Sequence, residues 1–171
     1  MILWHMGLAV LIVYVTLGRR RIDYRYVLLG SILPDIADGI LGLFLFHGPS
    51  GRWVAHSLPA VIVVTVAIII GTSGEQRLAL FGIGVGWLLH LVADGMWLAP
   101  LTFFWPAFGL RFSPAPAEPY SLDLFGDPLA HLSTWSGELL GAGILAWFFA
   151  AFELSDGDRW RRFIKDGHLR P

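Results

Sequence analysis

The sequence predicts an all-α fold: a polytopic membrane helical bundle of about five transmembrane helices plus a re-entrant or interfacial segment. Three observations predict it. Of 171 residues, 56% are hydrophobic and only 15% are charged, and the mean hydropathy is +0.65. The apolar residues gather in runs close to the ~17–25 residues that cross about 30 Å of hydrocarbon. The basic residues fall between those runs rather than within them.

The runs are 2–17, 26–46, 57–72, 78–95 and 138–154. The first, within MILWHMGLAVLIVYVTLGRRR, has no basic leader and no small-x-small cleavage site. It reads as a retained first span, not a cleaved signal peptide. The second contains Pro34, which kinks a helix or opens a new half-helix. The fourth and fifth carry the Gly-x-x-x-Gly pairs of GIGVG (82–86) and GELLG (137–141), a spacing that lets helix backbones approach. After the fourth, GMWLAPLTFFWPAFGL is apolar but broken by Pro100 and Pro106. It reads as the re-entrant or interfacial piece. The Pro-rich stretch 111–128 follows as an outer loop. The chain is thus one transmembrane domain, 1–171, with an outer re-entrant and loop region at 96–137.

Ten of the twelve Lys and Arg lie between runs one and two, between three and four, or after five; only Arg52 and Arg111 lie elsewhere. Five spans put those ten on one side, which the positive-inside rule makes cytoplasmic. The N-terminus is then outside and the C-terminus inside, in an inner (plasma) membrane. A net charge of −1 suggests no nucleic-acid partner. The absence of cysteine excludes disulfides and thiolate metal ligands.

Ionisable residues inside apolar runs need a reason, because a charge at the bilayer centre costs a few kcal/mol or more. His90 and Asp94 are i,i+4 and share a helix face; Asp35 and Asp38 are i,i+3 and share another. At 1.5 Å per residue, Asp38 and His90 lie roughly 17–18 Å from the cytoplasmic starts of their runs. His5 lies near the outer end of run one and His56 at the outer start of run three. Each has a bland alternative: His5 an interfacial histidine, Asp35 a half-helix cap, His90 and Asp94 a structural pair, His56 a loop-edge residue. Their convergence from four helices onto one depth in the outer half argues for a site. Imidazole and carboxylate without thiolate suit a divalent metal, zinc first, with manganese or iron as alternatives. Three His and three Asp suffice for one ion, or for two with a bridging carboxylate. His47 and His131 are weaker candidates, and His168 belongs to the C-terminal tail.

These residues resemble a family: the YdjM-like, membrane-bound metal-dependent hydrolases, also described as LexA-binding inner-membrane-associated proteins. The resemblance runs from His5 to about Phe108 and rests on HMG, LPDIAD, RWVAHSL, and HLVAD running on to FFWPAFG. The sequence departs in spacing its two aspartates one residue wider than many members, and in Ala55 where Thr is common. The resemblance implies phosphoester cleavage, since the family's His and Asp pattern is similar to that of zinc-dependent phospholipases C.

The expected function is therefore metal-dependent hydrolysis of a lipid or lipid-linked phosphoester, with a metal-bound hydroxide as nucleophile. His56, His90, Asp94 and Asp38 are the first ligands, with His5 and Asp35 completing the set or holding a second ion. Asp35 is a base if it is not a ligand. Arg52 contacts an anionic headgroup. Phe103, Phe104 and Trp105 line a lipid approach beside residues 96–108. The alternative is an ion- or proton-coupled transporter or channel using the same Asp and His. So few helices would then need a homo-oligomer for alternating access. A third reading is a metal that only staples helices.

Overall fold

The computed structural model describes residues 1–18, 22–42, 51–114 and 132–168, and every regular element among them is helical. The helices are α1 (Ile2–Leu17), α2 (Tyr24–Gly30), α3 (Leu33–Leu41), α4 (Leu58–Gly71), α5 (Gly74–Ala93), α6 (Pro100–Phe103), α7 (Leu132–Ala151) and α8 (Gly157–Asp166), with 3-10 turns at Val54–His56 and Met96–Leu98. His47, His131 and most of the Pro-rich stretch lie outside the described residues.

The all-helical expectation holds among the described residues, and the five-span expectation is met only in part. Among the described residues, α5 alone is long and apolar enough to cross a membrane; α1 and α4 are shorter apolar helices. The expected second span is two helices, α2 and α3, parted at Ser31 and Ile32. Pro34 explains the break. It has no N–H to give the carbonyl of Gly30, and its ring crowds that carbonyl, so the chain restarts with Pro34 in the first turn of α3.

The helices pair chiefly as α1 with α7 and α2 with α5. Glycine makes both contacts close. A Cβ on Gly86 would run into the carbonyl oxygen of Val27, and one on Gly30 into that of Ile83. Gly141 lies against the carbonyl of Leu3, and a Cβ on Gly7 would sit 2.7 Å from the oxygen of Gly141. Both Gly-x-x-x-Gly pairs therefore lie on helix contacts, where the missing side chain lets backbone meet backbone.

One apolar cluster joins Val10 and Val13 of α1, Tyr24 and Val27 of α2, and Phe148 and Phe152 to Phe163 of α8. The amide of Tyr24 donates to Gly167 (2.9 Å), and Arg25 Nη1 donates to the carbonyl of Ile164 (2.5 Å). Together these bonds tie α8 to the start of α2. At the N-terminus of α8, hydrogen bonds from the amides of Arg159 and Asp158 hold the Asp156 carboxyl below its usual range. The second cluster, Ala55, Val61, Trp87, Leu91 and Met96, with Phe103 packed on it, lies beside the site.

The exposed face of α4 is apolar. In α4 only Val61 is buried, while Ile62, Val63, Val66, Ile69 and Ile70 are exposed. A helix apolar all round with one buried residue has no stable place in water.

Candidate metal centre

The break before Pro34 has a direct consequence for the site. In an unbroken helix the carbonyl of Ser31 would accept from residue 35. Here it accepts from Nδ1 of His90 at 2.7 Å. A carbonyl only accepts, so Nδ1 carries the proton and Nε2 of the neutral ring keeps its lone pair. His90 is fully buried. One turn later Asp94 ends α5, and Gly95 (φ +62°) turns the chain away.

His56 is oriented in the same way. Asp38, fully buried, accepts from the amides of Trp53 (2.6 Å), Ala55 (2.9 Å) and His56 (3.3 Å), and from His56 Nδ1 (2.7 Å). Four donors occupy its two oxygens. Asp38, expected as a first ligand, therefore lies behind His56, gripping the turn Val54–His56. Asp35, one turn earlier on α3, meets the other side of that ring: its Oδ1 is 3.4 Å from His56 Nε2. His5 is buried in α1, with its Nδ1 on the carbonyl of Met1. Its ring stacks on His90 at 4.1 Å between centroids.

Three rings thus turn Nε2 lone pairs inward. His56 and His90 Nε2 are 3.2 Å apart. Asp35 Oδ1 is 3.6 Å from His90 Nε2. Asp94 Oδ2 is 3.6 Å from His56 Nε2 and 3.7 Å from His90 Nε2, and it is buried with no hydrogen-bond partner among the described residues. Asp94 Oδ1 is 3.0 Å from His5 Nε2 and 3.1 Å from Arg52 Nη2. Acceptors crowded together in this way call for a cation or a shared proton between them. The separations resemble those of adjacent ligands on one small ion, roughly 3.0–3.6 Å for bonds of 2.0–2.2 Å. Two overlapping sets, His5–His90–Asp94 and Asp35–His56–His90, are close enough to hold a metal.

The site has a mouth. The side chains of its histidines and Asp94 are almost wholly buried, whereas those of Asp35 and Arg52 are 33% and 21% exposed. His168 plays no part; its ring bonds to the carbonyl of Asp166 in its own turn.

Sequence reasoning missed Ser31, whose role rests on a carbonyl, and Glu138, which accepts from the amide of Leu3 (2.8 Å) and so steadies the start of α1. Pro34 was the one signal that could have pointed to Ser31.

Among the described residues, helices with exposed apolar faces surround a buried His and Asp cluster, the pattern of a membrane protein with a candidate metal centre. The chain belongs to the YdjM inner membrane protein family, whose sequence profile matches residues 1–159. No curated protein and no solved structure matches it.

Proposed function

We propose that the cluster binds one divalent metal ion, zinc before manganese or iron, and that the protein is a membrane-embedded hydrolase of phosphoesters. The observation that carries this reading is the set of inward lone pairs around the unpartnered Asp94 Oδ2. Charge balance supports it. Asp35, Asp38 and Asp94 set against Arg52 leave two negative charges, which one divalent ion neutralises.

Held by His5, His56, His90 and Asp94, with Asp35 left free, the ion would supply Lewis acidity and lower the pKa of a water. The chain's own residues do the rest. Asp38 and the Ser31 carbonyl fix the tautomers of His56 and His90, as partners behind metal-binding histidines do. Asp35, the most exposed member, takes the proton from an incoming water. Arg52 offers a guanidinium fork to the phosphate, beside the group that Asp35 activates. The basic asymmetry of the sequence supports a site in the outer half of the membrane with the C-terminus cytoplasmic.

The test is turnover of a phosphodiester by the metal-loaded protein in detergent. Arg52→Gln should lower kcat/KM on the order of 100-fold, and Arg52→Lys less, because Arg52 acts on the anion. Because Arg52 also pairs with Asp94 Oδ1, metal affinity should weaken in Arg52→Gln, so turnover is compared at saturating metal. Wild-type protein with full metal and no turnover of any phosphoester would remove the hydrolase reading and leave a structural metal or a transport site.

A further inference from the structure

The geometry points to a substrate that is a phosphate-bearing lipid, reaching the centre from within the bilayer over an apolar ledge formed by residues 95–110. This inference rests on the hydrolase reading for its chemistry, but not for its geometry.

The ledge begins directly after Asp94. Gly95 turns the chain, and the Met96–Leu98 turn and the four-residue α6 follow. None of this is long enough to cross a membrane. Two anchors hold it. Met96 is buried against Ala55, Trp87 and Leu91. Thr102, also buried, accepts at Oγ1 from the amide of Ser113 (2.9 Å). Between and beyond the anchors, Trp97, Leu98, Leu101, Phe104, Phe108 and Leu110 are exposed, Leu98 at 81%. No charged residue occurs from Gly95 to Leu110. Six large apolar side chains exposed within fourteen residues of a fixed, non-spanning segment need apolar surroundings.

The ledge adjoins the mouth. Both α6 and α3 pack against the turn Val54–His56, and Arg52 stands two residues before that turn. On α3, Ile36 and Ile40 are exposed beside Asp35. A cationic fork set among apolar, uncharged surfaces is complementary to an amphiphile, with phosphate for Arg52 and chains for the ledge and α3. A freely soluble phosphoester shares the phosphate but gains nothing from the ledge.

The two sources separate with matched phosphodiesters: phosphatidylglycerol in vesicles and bis(p-nitrophenyl) phosphate in solution, both offered to the metal-loaded, reconstituted protein. Leu98→Glu and Phe108→Glu change tips that stand clear of the core, and a charge there opposes lipid contact. Each should lower vesicle turnover about tenfold or more while changing soluble turnover less than about twofold. Unchanged vesicle turnover, or equal loss on both substrates, overturns the inference. A second readout does not depend on hydrolysis: crosslinking by phosphatidylglycerol with a diazirine in its chain. Label in peptides covering 36–40 and 97–110, reduced in Leu98→Glu, supports the entrance even if no phosphoester is cleaved. Label spread evenly over the apolar helices refutes it.

Discussion

His90→Ala should empty the metal centre. His90 is the residue common to both candidate ligand sets, so its loss breaks each. Weakening a partner behind a metal ligand typically costs 10–100-fold in affinity, and removing the ligand itself costs more. Metal content should fall from about one ion per chain to below roughly a tenth. Stability should fall with it, because an ion held by helices from four parts of the chain adds its binding free energy to the folded state. Two further losses add to this: the Ser31 carbonyl is left buried without its donor, at about 1–3 kcal/mol, and the ring leaves a cavity. Metal analysis and thermal unfolding with and without a chelator separate the terms. The chelator should destabilise wild-type protein and leave His90→Ala unchanged. If His90 were merely a structural hydrogen-bonding residue, the chelator would affect both proteins alike.

Gly86→Ala should damage the fold and the site together. A Cβ there meets the Val27 carbonyl and lies 2.9 Å from the amide of Ser31. Both are backbone, of α2 and of the residue that caps it, so neither can swing aside. Relief requires parting α2 from α5, and overpacking of this kind costs about 1–3 kcal/mol. The same movement carries the Ser31 carbonyl away from His90, so metal affinity should also fall. Gly143→Ala is the control. Nothing lies within 4 Å of the added carbon, and replacing a mid-helix glycine should gain up to about 1 kcal/mol. Thermal unfolding and metal titration of the two variants should move in opposite directions or differ sharply; equal behaviour would contradict the close α2–α5 contact.

The helices were largely legible because their apolar runs are long and their ends are marked. Apolar runs 2–17 and 57–72 lie close to α1 and α4. Run length alone, however, concealed the break between α2 and α3. Pro34 marked it, but a proline inside an apolar run signals a kink and a stop equally well. The cluster was legible as a set of residues sharing a depth, and less so as a geometry. Helix spacing puts Asp35 and Asp38 on one face, yet it cannot say which carboxylate meets Nε2 of His56 and which meets Nδ1. That depends on the chain from Trp53 to His56, which folds its amides onto Asp38. His5 carried little weight as a lone histidine near one end. Its position depends on how α1 packs; the Gly-x-x-x-Gly pair at 137–141 marked a close contact there but not that α1 was the partner.

The central claim is that a divalent ion, rather than shared protons, holds the inward lone pairs together. Elemental analysis of the detergent-purified wild-type protein, with zinc, manganese and iron measured against protein concentration, tests it most directly. The account predicts about one tightly held divalent ion per chain, surviving gel filtration and lost in His90→Ala and in Asp94→Asn. A folded, monodisperse wild-type protein that carries no stoichiometric metal, and takes none up when zinc, manganese or iron is added, would contradict it.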